Sequence, residues 1–67
     1  MKVFCERLKE LRQEKNLSSI ALGNVLGVSH STILRWENGE ILPTILHLYN
    51  IAKFFNISSD YLLGLEN

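Results

Sequence analysis

The stretch SSIALGNVLGVSHSTILRWENG, Ser18 to Gly39, orders large, small and turn-forming residues in a way that fits two short helices crossing around a tight turn. Leu22, Leu26 and Val28 fall on the inward side of the first helix and the turn. Ile33 and Trp36 form the inward stripe of the second, at the three-residue spacing of a buried helical face. Gly23 falls where the helices cross. A side chain beyond methyl size would hold the backbones apart there, and glycine meets this need at about 1 kcal/mol of helix propensity relative to alanine. Gly27 follows the last apolar residue of the first helix, where a left-handed backbone is cheap for glycine or asparagine. Ser29 comes two residues later and can cap the second helix.

Outside this stretch the same rules predict three more helices and no strand, because no segment alternates apolar and polar residues for long enough. Helix one is expected from about Lys2 to Lys15, with Phe4, Leu8 and Leu11 as its core stripe, Lys2–Glu6 and Glu6–Lys9 as solvated ion pairs, and Asn16 as its left-handed end. Helix two starts at Ser18 and ends near Leu26, and helix three spans about Ser29 to Asn38 before Gly39 stops it. Helix four follows Pro43 with Thr44 as its cap and Leu48, Ile51, Ala52 and Phe55 inward. A shorter helix five is capped by Ser58, carries Asp60 in its first turn and ends at Gly64. The fold class is therefore all-α, a five-helix bundle, read as one domain over residues 1–67. The predicted core is Leu8, Leu11, Leu22, Leu26, Val28, Ile33, Trp36, Leu48, Ile51 and Phe55.

Composition narrows the chemistry. A chain of 67 residues makes one small domain, and one of this size buries only about 60 % of its unfolded surface. The single Cys5 has no intramolecular partner. The apolar runs fall well short of the roughly 20 residues that span a bilayer, and the N-terminus alternates charges instead of opening on an apolar leader, so a cytoplasmic setting with no membrane contact is expected. Cys5, His30 and His47 are too scattered for a metal signature, and there is no phosphate-binding glycine loop or nucleophile motif; no enzyme, metal or cofactor is expected. Net charge is zero but unevenly divided: residues 1–36 hold six basic and three acidic side chains (+6 − 3 = +3), and residues 37–67 hold one basic and four acidic (+1 − 4 = −3). Between Ser18 and Trp36 there is no acidic residue, so a local patch can face phosphate on a neutral molecule.

Two helices around such a turn make a helix-turn-helix, which points to double-stranded DNA. Side chains at the start of the second helix and one turn further on reach base edges in the major groove. Here those are His30, Ser31 and Arg35, of which Arg35 can hold O6 and N7 of guanine with its planar fork; the alternative for Arg35 is a solvated surface charge or a phosphate contact. Phosphates would be held at the N-terminal ends of helices two and three by Ser18, Ser19, Ser29 and Thr32, with Asn38 across the other end. Trp36 is read as core rather than as a stacking platform.

The run ERLKELRQEKNLS (Glu6 to Ser18), the LGVSHSTILRWENG segment (Leu26 to Gly39), Pro43, and LYNIAKFFNISSDYLLG (Leu48 to Gly64) together resemble the Cro and phage-repressor class of helix-turn-helix regulators, over nearly the whole chain. That resemblance implies base contacts from His30, Ser31 and Arg35 and a structural ion pair between Arg12 and Glu37. It also marks departures. Ser19 stands where relatives carry a longer glutamine, Glu40 stands where they carry a cation, and Ile20, Val25 and Leu46 replace polar residues. With Ile41 and Leu42, these either mark an interface or enlarge the core.

The expected function is a sequence-specific transcriptional regulator, a repressor, acting as a homodimer on a two-fold symmetric operator. Its expected dimer surface is helix five with the end of helix four (Tyr61, Leu62, Leu65), unless Tyr61 and Leu62 close the core instead. The rival is a protein-interaction module of the same fold, an antirepressor or antitoxin-like subunit with a protein partner and weak DNA affinity.

Overall fold

Five helices account for the computed structural model, which describes residues 1–66: α1 Lys2–Glu14, α2 Ser19–Leu26, α3 His30–Asn38, α4 Ile45–Phe55 and α5 Ser59–Leu63. Each boundary has a local chemical cause. The hydroxyls of Ser18, Ser29, Thr44 and Ser58 accept the backbone N–H of Ala21, Thr32, His47 and Tyr61, at 3.0, 3.2, 3.2 and 3.0 Å. Each bond satisfies one of the otherwise unpaired donors in the first turn of α2, α3, α4 and α5. At the other ends the chain turns left-handed, with Asn16 and Asn56 both at φ 55° and Gly27 at φ 74°. Asparagine tolerates this conformation through its short polar side chain, so α1 and α4 end without glycine.

The core is assembled from every helix: Phe4, Cys5 and Leu8 of α1, Leu22 and Leu26 of α2, Ile33 and Trp36 of α3, Ile51 and Phe55 of α4, and Leu62 of α5. Leu11, Val28 and Leu48, expected in the core, are half-buried and pack around its rim. Cys5 was not expected there; it lies one position from Phe4, on the flank of the α1 stripe that faces α3, and is buried as a small apolar side chain. No buried polar side chain among the described residues lacks a hydrogen-bond partner.

Two expectations are corrected. Leu62, assigned to a dimer surface, is 0 % exposed. Helix α5 is only five residues long, so it attaches by driving Leu62 inward between α1 and α4, and Leu62 has no surface to offer. Tyr61 is half-buried beneath the Arg7 guanidinium, 4.1 Å from its ring centroid, and its carbonyl accepts a hydrogen bond from Arg7. Leu65 of the expected trio is the exposed one. Second, among the described residues the only ion pair closed within 4.0 Å is Arg12–Glu37. Lys2–Glu6 and Glu6–Lys9 do not form, in keeping with the small gain that exposed ion pairs obtain in water.

Candidate nucleic-acid interface

The close approach of α2 to the turn begins at Gly23. Its carbonyl accepts the N–H of Gly27 and that of Val28, the latter at 2.9 Å, which folds the turn back onto α2. A Cβ at Gly23 would stand 2.6 Å from the Val28 carbonyl oxygen and 3.3 Å from the Ser29 carbonyl carbon. Even a methyl is therefore too large, a tighter constraint than the residue pattern suggested. With α2 and α3 pressed together, Ile33 and Trp36 turn inward, 0 % and 1 % exposed, and they set the rotation of α3 about its own axis.

Two further contacts hold α3 in place. The Trp36 ring meets His47 of α4 at 5.3 Å between centroids, while His47 Nδ1 lies 3.1 Å from the Thr44 hydroxyl. At the far end, Arg12 donates to both carboxylate oxygens of Glu37, from Nε at 2.6 Å and from Nη2 at 3.0 Å, and donates a third bond from Nη1 to the Leu17 carbonyl at 2.9 Å. The hydrogen bond to Glu37 and the carboxylate's charge raise the Arg12 pKa above its ordinary value, although burial lowers it. This arginine is thus charged and occupied, and the local positive charge near α3 is smaller than the count along the chain implies.

On its outward side α3 exposes His30, Ser31, Leu34, Arg35 and Asn38. Ser31 and Asn38 lie along the middle of this exposed side, with Arg35 on one flank and His30 and Leu34 on the other. Ser29 and the half-buried Thr32 stand at the N-terminus of α3, where the Ser29 hydroxyl lies 3.0 Å from that of Thr32 and 3.3 Å from that of Ser31. Ser18, exposed, and Ser19, half-buried, sit at the start of α2. The hydroxyls of Ser18 and Ser29 each accept a backbone N–H as caps; that of Ser18 retains a proton that can be donated outward, while that of Ser29 shares hydrogen bonding with Thr32 and Ser31. Leu34 escaped the reading of the sequence, yet its place on the outward face follows from the inward spacing of Ile33 and Trp36. The Trp36–His47 contact had no such signal, because it depends on how α4 lies against α3.

Among the described residues no group of three or more His, Cys, Asp or Glu side chains is placed to hold a metal ion. No described helix is long and apolar enough to cross a membrane. The face that is left, short hydroxyl and amide side chains around one exposed arginine fork and two capped helix N-termini, is suited to hydrogen bonding with phosphate and base edges.

Comparison with known proteins agrees with this geometry. The family profile described as Helix-turn-helix matches residues 8–62. The HTH-type transcriptional activator BcrR of Enterococcus faecalis is 41 % identical over 63 residues, which cover 94 % of this chain and 31 % of BcrR. Repressor protein C2 of Salmonella phage P22 is 36 % identical over 58 residues, 87 % of this chain and 27 % of that protein. The crystal structure of the P22 c2 repressor in complex with synthetic operator 9T superposes with a TM-score of 0.86 at 32 % identity, covering 92 % of this chain and 94 % of that one. FeII HppE, solved in complex with substrate, also contains the fold: TM-score 0.82 at 34 % identity over 91 % of this chain, but only 36 % of that one. The chain thus spans about a third of the curated regulators BcrR and c2, and its fold also recurs within a larger chain of a different kind. On the family match and on this arrangement of helices, the chain belongs to the helix-turn-helix family of transcriptional regulators, in the class of Cro and the phage repressors.

Proposed function

We propose that this chain binds double-stranded DNA sequence-specifically, laying α3 in the major groove, and that it represses transcription by occupying its operator as a homodimer. The observation that carries this reading is the exposed side of α3. His30, Arg35 and Asn38 are exposed there and their side chains make no internal hydrogen bond among the described residues, although burial and capping lock the rest of the helix. Arg35 takes O6 and N7 of a guanine, a contact worth about 1–3 kcal/mol of discrimination. His30 and Ser31 meet neighbouring base edges. Ser18, Ser19, Ser29, Thr32 and Asn38 hold the phosphates on either side and so fix the register. The similar P22 c2 repressor, solved in complex with a synthetic operator, supports DNA as the ligand. Such a protein works in the cytoplasm, beside the DNA.

A single protomer binds weakly on this reading. Arg35 is the only cation between Ser18 and Trp36, Arg12 is occupied by Glu37, and Glu40 lies exposed just beyond α3. Two copies with recognition helices about 34 Å apart reach successive major grooves on one face of the DNA and combine their binding energies. The exposed apolar surface suited to joining them lies on α4. Ile45 is 88 % exposed, Tyr49 is 56 % exposed, and both border a groove completed by Leu48, Ala52 and Ser59 of α5. Projection and recess on one surface are what a two-fold interface requires, since each copy must offer both.

Selection of bound duplexes from a random pool, followed by affinity measurements at several salt concentrations, tests this proposal. The expected site is an inverted repeat, with log K falling linearly against log salt by about 0.9 for each phosphate contact made. Binding with no salt dependence and no selected sequence overturns it. That outcome would favour the second reading, a protein-interaction subunit, which one observation supports: Ile20, Val25, Ile41, Leu42 and Leu46 are all at least 42 % exposed.

A further inference from the structure

On the outward face of α3, Leu34 is the one residue for which hydrogen bonding supplies no role. Successive residues of an α-helix turn by about 100°. With Ile33 and Trp36 inward, the outward direction therefore passes between Ser31 and Asn38, and Leu34 and Arg35 stand on opposite sides of that line at similar angles. Leu34 is 41 % exposed, and it is not among the partly buried side chains packed against the core. The other exposed apolar residues of the helix-turn-helix, Ile20 and Val25, lie on α2 and not on this face. A leucine so placed keeps a large apolar area in water after folding, and its neighbours on the outward face, His30, Ser31, Arg35 and Asn38, are all polar.

In the major groove one base-edge group is apolar, the C5 methyl of thymine. We propose that Leu34 reads the methyl of a thymine within one or two base pairs of the pair that Arg35 contacts. This rests on the placement of α3 in the major groove and deepens it. Leu34 and Arg35 are consecutive, with α-carbons about 3.8 Å apart, so the two side chains reach neighbouring steps of the base stack. The pair then supplies complementary discrimination: Arg35 requires two acceptors on a purine, and Leu34 requires a methyl on a pyrimidine. Contact between the isobutyl group and the methyl removes apolar surface of both from water, and its loss weakens binding by about threefold to tenfold.

The test uses the site selected by the parent protein, remade with uracil in place of thymine at one position at a time, which removes the methyl and leaves every hydrogen-bonding group. The expected result is one thymine per half-site whose replacement weakens the parent threefold to tenfold. For Leu34→Ala the uracil and thymine duplexes bind alike, and the salt dependence matches the parent's. The variant stays folded, because Leu34 is outside the core and alanine is the better helix former; its thermal melt checks this. A parent that selects a site yet ignores the methyl of every thymine in it overturns the proposal, as does a Leu34→Ala variant that still senses the methyl; in either case the groove reading stands. A parent that selects no site overturns that reading and this proposal with it.

Discussion

Arg12 on α1 grips both carboxylate oxygens of Glu37 on α3, at 2.6 and 3.0 Å, and with its remaining terminal nitrogen it holds the Leu17 carbonyl at 2.9 Å. One side chain thereby ties the first helix, the connection into α2 and the end of the outward-facing helix. The Glu37 side chain is 3 % exposed and that of Arg12 14 %, so the two are not equivalent when one is removed. Arg12→Ala leaves a carboxylate almost wholly buried and orphans a carbonyl, and it is expected to destabilise by about 3–5 kcal/mol. Glu37→Ala should cost less, since Arg12 keeps its bond to Leu17 and some contact with water. The double variant should cost less than the sum of the two. Additive losses in chemical denaturation would show two independent charges.

The same pair predicts a pH behaviour. The hydrogen bond and charge of Glu37 raise the pKa of Arg12 in the folded chain. A raised folded pKa gives stability that is fully present below the unfolded value and is lost only as pH climbs through the folded one, which for arginine is strongly alkaline. The difference in melting temperature between the parent and Arg12→Ala should therefore stay constant from about pH 7 to about pH 10. A difference that shrinks over that interval would mean that some other group sets it.

Gly23→Ala tests the turn. Alanine gains about 1 kcal/mol in helix propensity, but its methyl would stand 2.6 Å from the Val28 carbonyl oxygen, which is backbone and cannot swing aside. The clash should win, with a net loss of about 1–3 kcal/mol in a denaturant titration. A variant as stable as the parent would show that the turn yields.

Trp36→Ala removes the largest fully buried side chain of the chain. The expected loss of about 3–5 kcal/mol is a large share of what a small domain has. Calorimetry should show a melting transition displaced far downward or absent. A small shift would contradict the placement of Trp36 in the core.

For DNA binding, Arg35→Ala should relax the preference at one operator position in each half-site, whereas Ser19→Ala and Asn38→Ala should weaken all sequences alike. The readout is repeated selection with each variant. An unchanged preference in Arg35→Ala would reassign that residue to the phosphates.

The dimer surface is tested by Ile45→Lys and Leu65→Lys, both at exposed positions and so compatible with folding. Ile45→Lys should yield a monomer in analytical ultracentrifugation and lose the advantage of the full operator over the half-site. Dissociation by Leu65→Lys alone would move the interface to the C-terminal end.

Much of this protein was legible in the sequence because its helices begin and end for local reasons. A serine or threonine hydroxyl reaches the N–H three residues on, and glycine or asparagine adopts a left-handed backbone, wherever the rest of the chain lies. Ile33 and Trp36, three apart, likewise fixed which side of α3 turns outward, and with it the candidate interface. What only the tertiary structure decided depends on distances between helices. Leu62 plugs the core instead of forming a surface because it is the one fully buried side chain by which the five-residue α5 packs against the bundle, with Tyr61 held at the margin under Arg7. Cys5 is buried because of where α3 passes α1, and Arg12 is lost to the basic patch because its guanidinium meets Glu37 across the gap between those helices. Periodicity reports direction around one helix axis; it carries no information about what stands opposite, and burial and pairing are set by that.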